Sequence, residues 1–283
     1  MIMLNIYILL VLSANLTIGM ANLLTMCQAA FYGIGAYIGT FFLMQFHLPM
    51  TLIFAVVAFI SGLFSFLVSY ASAKLKGDYF VLATMGFQLI VYTILYNWIP
   101  VTRGPYGISG IPNIRIFGIG EMSGVYTYWG LSFVLAVLAV LLFNNLHNSP
   151  YGRKLKAIKA NEQLVQSLGR NTLAARSWAF FISAAVAGVA GVIYAAYVSY
   201  IDPTGFTLNE SIFIISALFI GGIGNVTGPI IGALFVVLLP ELLRFVGLPE
   251  TIAANLRQII YGLTLILVVY FRPQGLFGKT TLK

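Results

Sequence analysis

SWAFFISAAVAGVAGVIYAAYV, residues 177–198, decides what kind of molecule this is. No charged side chain interrupts it, and about 20 apolar residues suffice to cross the hydrocarbon of a bilayer as a helix. Within it Ser183, Ala187, Gly191 and Ala195 recur every fourth residue, and Ala184 and Gly188 form a parallel row. Small residues at that spacing line one helix face and let a second backbone come close in lipid. Gly35 and Gly39 repeat the spacing in an earlier apolar run. The pattern predicts spanning helices crowded by neighbours.

Outward from this stretch the chain keeps the same character. Of 283 residues, 60% are hydrophobic and 8% charged, where a soluble domain carries about 25% charged residues. Apolar runs lie near 4–22, 27–45, 50–72, 80–99, 127–144, 177–198, 211–223, 230–246 and 255–271. The expected fold is an all-α polytopic helix bundle with about 8–10 spans, forming a single transmembrane domain over 1–283. Nine crossings leave about 100 residues outside the hydrocarbon. That remainder excludes a self-contained ATPase or a fused soluble enzyme, so any energy source belongs to another chain. The seventh run, Ser211 to about Ile223, is short and enters GGIGNVTGPIIG (221–232). Gly221, Gly222, Gly224 and Gly228 make it a broken or re-entrant element whose backbone neighbouring helices must satisfy.

Charge sets the orientation. The linker 145–176 carries Arg153, Lys154, Lys156, Lys159, Arg170 and Arg176 against one acid, Glu162, and the tail adds Arg272, Lys279 and Lys283. Excess Lys and Arg marks cytoplasmic segments, so both face the cytoplasm, with Lys74 and Lys76 marking a third inner turn. The acidic 199–210 segment, with Asp202 and Glu210, and the loop 100–126 fall outside. Four spans between linker and tail return the chain to one side only if the short seventh element crosses. The first 73 residues contain no Lys or Arg, so the start lacks the basic region of a cleavable signal peptide. The loop 100–126, crowded with glycine and proline, reads as irregular.

Chemistry-bearing patterns are sparse. GGIGNVTG lacks the spacing and context of a phosphate-binding loop. One cysteine, Cys27, permits no internal disulfide. His47 and His147 fall on opposite sides of the membrane, and no carboxylate pair is spaced for acid–base work. No bound cofactor or metal is expected, no nucleic acid, and no catalysis. Proton relays and voltage sensors place ionisable groups at membrane depth, and the spans show no such series. Glu241 and Arg244, three residues apart, can pair as helix neighbours.

The linker is the most structured polar segment. From Gly152 to Leu168 the apolar positions Leu155, Ile158, Val165 and Leu168 recur at helical spacing, with Arg153, Lys154, Lys156 and Lys159 mostly on other faces. Gly169 would end that helix. It could lie on an anionic membrane surface, connect spans as a solvated rod, or dock into a partner protein.

Several segments together resemble the permease subunits of ATP-binding-cassette importers for branched-chain amino acids, of the M type. NLTIGMANLLTMCQAAFYGIGAY (15–37), KGDYFVLATMGFQ (76–88), TRGPYGISGIP (102–112), GRKLKAIKANEQLVQSLG (152–169), ALFIGGIGNVTGPIIGA (217–233), LLPELLR (238–244) and YFRPQGLFG (270–278) follow the family's order. The resemblance implies a type II importer-like bundle in a bacterial inner membrane, paired with a homologous permease chain. It also implies two ATPase subunits that bind ATP and Mg, and a periplasmic or surface solute-binding protein meeting the loop 100–126. The helix around 152–168 would be the coupling helix, with Gly152, Arg153, Lys156, Ile158, Lys159, Glu162, Val165, Leu168 and Gly169 as its docking residues. CQA (27–29) replaces the family's Gly-His-Ala, removing a side chain that could line the path. A stand-alone secondary transporter or channel is the competing reading.

Overall fold

The computed structural model describes residues 1–46, 48–75, 77–116, 120–122, 124–245, 250–271 and 276. His47, Lys76, Arg272, Lys279 and Lys283 lie outside the described residues, as do the side chains of Lys74 and Arg244. The chain is an all-α bundle. Helix α1 (Ile2–Ala14) runs into a π-helical segment, Asn15–Met20, followed by α2 (Gln28–Phe46), α3 (Met50–Lys74), α4 (Asp78–Asn97) and the single turn α5 (Ile99–Thr102). Then come α6 (Val125–Asn148), α7 (Pro150–Ala160), α8 (Glu162–Ser167), α9 (Thr172–Val198), α10 (Leu208–Gly221), α11 (Thr227–Phe245) and α12 (Glu250–Phe271). Among the described residues six helical segments, beginning at Ile2, Gln28, Met50, Asp78, Val125 and Thr172, are long and apolar enough to cross a membrane.

Helix α1 is apolar on every side, so it belongs in the middle of the bundle. Ile6, Leu10, Val11 and Leu12 are buried there, against α6, α9, α10 and α11. The small-residue rows explain the tightest packing, that of α9 on α2 and α3. A Cβ on Gly35 would overlap the backbone of Gly188, and one on Gly188 would meet the side chain of Ser61 from α3. A Cβ on Gly191 would strike Tyr32 O and lie 2.7 Å from Ala36 N, and one on Gly39 would lie 2.7 Å from a Val192 methyl. Ala184 is buried in the same face.

Two ends of the bundle are defined by contacts. At one, Lys159 Nζ donates to Gly19 O at 3.0 Å and His147 Nε2 bonds Gly224 O at 2.9 Å. This linker end gathers the π-helix, the end of α6 and the α10–α11 turn; Leu276 N–H, donating to Ile220 O at 3.1 Å, joins it. At the other, β1 (Ile108–Ser109) pairs with β4 (Tyr200–Ile201), and Tyr7 Oη donates to Glu210 Oε1 at 2.7 Å. This is the loop end.

Two expectations change, and one is refined. Helix α10, of 14 residues, is the short element expected there: it begins inside the bundle, where Ser211 Oγ donates to Gln88 Oε1 of mid-α4 at 3.3 Å, and the glycine stretch is the turn between α10 and α11. Gly222 and Gly224 there adopt φ of 116° and 88°, left-handed values open to glycine. The loop 100–126 is not wholly irregular. Besides β1 it holds β2 (Ile114–Ile116) paired antiparallel with β3 (Gly120–Met122). Ladders of two or three residues are too short to print a period-two pattern. Glu210, expected in the outer segment 199–210, opens the first turn of α10 and is held by Tyr7 inside the bundle.

Candidate functional site

The linker end concentrates the polar chemistry of the chain. The expected single helix over 152–168 is two helices, broken at Asn161, whose extended backbone (φ −157°) stops α7. Its side chain then accepts from Leu164 N–H at 3.0 Å, capping α8, as asparagine does at helix starts. Ser149 caps α7 in the same manner, accepting from Gly152 N–H at 3.1 Å. Gly169 ends α8 with φ +73°, its N–H reaching Gln166 O and that of Arg170 reaching Val165 O. That paired bond pattern is the glycine stop expected from the sequence.

The break divides the apolar positions. Leu155, Ile158 and Val165 are buried against the bundle, whereas Leu168 is 72% exposed and Leu164 59%. Leu168 therefore leaves the face it was expected to share. Gly152 sits so close to the last turn of α6 that a Cβ would overlap Leu146 O.

The basic side chains have a local explanation. A helix end leaves carbonyls without intrahelical partners, and cations are favourable there. Arg153 donates to Asn148 O at 3.2 Å and Lys156 to His147 O at 3.0 Å, both at the end of α6. Lys159 does the same for the π-helix through Gly19 O. Burial lowers the pKa of Lys159; burial and then Arg153 lower that of Lys156. Glu162 accepts from Arg176 Nη1 at 2.6 Å and from Thr172 Oγ1 at 3.3 Å, fastening α8 to the start of α9. These charges also fold the linker onto its own bundle, and α8 leaves Leu164 and Leu168 outward among exposed polar side chains.

Toward the loop end, α2, α3 and α4 border an open groove of about 940 Å3, lined by Tyr37, Phe41, Phe64, Ile94 and Trp98 with Arg103 beside them. Among the described residues no group of three or more His, Cys, Asp or Glu could hold a metal ion. Residues 1–269 match the family described as branched-chain amino acid transport system / permease component.

The chain belongs to that permease family. It is a multi-pass membrane permease. It is 31% identical over 299 aligned positions to the high-affinity branched-chain amino acid transport system permease protein LivM of Escherichia coli K12, covering 97% of this chain and 68% of that one. The probable LivM of Methanocaldococcus jannaschii is 32% identical over 217 positions, 74% of this chain and 62% of the relative. The probable LivH of the same organism is 24% identical over 292 positions, 97% and 89% of the two chains. No solved structure matches.

Sequence reasoning missed three groups in the permease. Asn15 and Leu164 fall within the segments 15–37 and 152–169 without being singled out there, and His147 is considered in the sequence only as a metal partner of His47. Asn15 stands in an apolar run, His147 ends a span, and Leu164 falls off the heptad-like row that drew attention to Val165. Gln28, in the CQA segment that the resemblance implied has lost a path-lining side chain, is buried between helices. Its amide donates to Ser13 Oγ of α1 and to Ser183 Oγ of α9.

Proposed function

We propose that this permease is the membrane subunit of an ATP-driven, binding-protein-dependent importer for branched-chain or related small amino acids. It forms half of the pathway beside a homologous permease chain in a bacterial inner membrane. Two ATPase subunits carry ATP and Mg and grip the linker end, which faces the cytoplasm; a solute-binding protein docks at the loop end. The permease performs no covalent chemistry. The observation that carries this reading is the α7–α8 hairpin. It is fixed to the bundle by Glu162, Lys156 and Lys159, yet presents Leu164 and Leu168 outward. A rigid mount with an apolar tip is what a groove on a moving partner needs. The names of the LivM and LivH relatives support the substrate class.

The test is co-purification with the ATPase subunits, followed by uptake in vesicles. Leu164→Asp with Leu168→Asp should abolish ATPase capture and ATP-dependent uptake while leaving the permease folded. Capture unchanged by both substitutions defeats the docking surface. A second reading, an ion-coupled transporter acting alone, draws on Glu210, a carboxylate held by Tyr7 within the bundle. Uptake by the purified chain driven by an ion gradient without ATP would establish it.

A further inference from the structure

The linker is tied to the interior by two separate arms that meet. In the first, Lys156 Nζ donates to His147 O at 3.0 Å, and His147 Nε2 donates to Gly224 O at 2.9 Å, since a carbonyl can only accept. Gly224 N–H donates to Asn15 Oδ1 at 3.1 Å, and Asn15 Nδ2 donates to Asn225 O at 2.7 Å. Asn15 thus clasps the α10–α11 turn from both sides, and it is the first residue of the π-helix. In the second arm, Lys159 Nζ reaches Gly19 O, near the other end of that π-helix. Linker, α6, glycine turn and π-helix close into one ring of hydrogen bonds. Asn15 is 4% exposed, and replacing Gly19 would drive a Cβ into the Asn15 amide.

We propose that this ring is the transmission joint of the permease, with Asn15 and His147 as positioning residues that pass linker movement to the glycine turn and to α1. The proposal rests on the ATPase-coupled reading above. The moving part is the π-helix. Residues 15–20 form wide turns, with Ala21 N–H bonded to Leu16 O, and such segments recur at functional sites. Taking up the extra residue by returning to α geometry turns one flank of the segment about 100° relative to the other. That supplies two discrete arrangements of α1, which a switch requires. The glycine turn, with two left-handed glycines, is the joint's other deformable piece.

The experiment uses the complete importer, with its ATPase and binding-protein partners, in proteoliposomes. Solute uptake and ATP hydrolysis are measured on the same preparation. For His147→Ala and Asn15→Ala, uptake should fall by about tenfold, within the ordinary range of coupling between sites, while hydrolysis and ATPase capture stay near wild type. His147→Gln keeps a side-chain N–H for Gly224 O and should restore uptake to within about twofold. Parallel loss of uptake and hydrolysis, or no change in either, overturns the joint. His147 is only partly buried, so its variants remain informative if Asn15→Ala does not fold. Failure of the wild-type chain to capture any ATPase would instead refute the importer reading, which separates the two.

Discussion

Tyr261 of α12 donates its hydroxyl to the carbonyl oxygen of Val236 in α11 at 2.6 Å. Val236 lies four residues before Pro240, which is inside α11 and has no N–H to return. The tyrosine therefore supplies, from another helix, the donor that proline removed. In a bilayer such a freed carbonyl has no water to turn to. Tyr261→Phe should cost about 1–3 kcal/mol, the penalty of an unsatisfied buried acceptor. In a Pro240→Ala background the alanine N–H takes over, and the same substitution should cost less than about 1 kcal/mol. A double-mutant cycle read by reversible unfolding in mixed micelles measures this, and strictly additive costs would break the pairing.

Glycines that look alike in the sequence differ in what they face. A Cβ at Gly35 meets the backbone of Gly188, whereas one at Gly39 meets the side chain of Val192. Backbone cannot move aside without shifting a helix, but a valine side chain can give slightly. Gly35→Ala should therefore destabilise by about 2–3 kcal/mol, and Gly39→Ala by nearer 1 kcal/mol. Melting of the two variants in one detergent decides it, and equal losses would remove the distinction.

The Glu162–Arg176 pair holds α8 closed on α9. Their side chains are 19% and 10% exposed, so solvent screens the pair in part. Glu162→Gln should loosen the hairpin by about 1–2 kcal/mol, raising local opening by roughly tenfold for each 1.4 kcal/mol. Arg170 stands exposed in the turn between the two helices, so tryptic cleavage after it reports the opening directly. A cleavage rate unchanged from wild type would show that the pair fastens nothing.

How much of this was legible depends on the length scale of the signal. The long apolar runs announced the spans because burial in lipid demands some twenty residues of one character. The row from Ser183 to Ala195 announced close packing because small side chains have that one use in a spanning helix. The basic linker announced its end of the molecule, yet the tasks of Lys156 and Lys159 were hidden, since their acceptors are backbone carbonyls that carry no sequence identity. Asn161 divided a regular pattern with one residue, because a side chain that caps a helix can also end the one before it. The roles of Asn15 and His147 were invisible for another reason. Each bonds a backbone more than 70 residues away, and single polar residues in apolar surroundings print no period.

Gln28 carries the clearest consequence of that blindness. The resemblance implied that CQA (27–29) removes a path-lining side chain; Gln28 is 2% exposed, and its amide joins α1, α2 and α9 through Ser13 and Ser183. Ser183 in turn donates to Ser13 O at 2.8 Å. Gln28→Leu removes two hydrogen bonds while each serine hydroxyl keeps the carbonyl it donates to; the change should cost about 1–3 kcal/mol. Gln28→His keeps a ring N–H of similar reach and should recover most of that loss. Because the residue acts by holding helices, the uptake KM of either variant should match wild type wherever the protein is folded, with only the yield of folded permease reduced. A Gln28→Leu permease of unchanged stability but altered KM would place the side chain back on the solute's route.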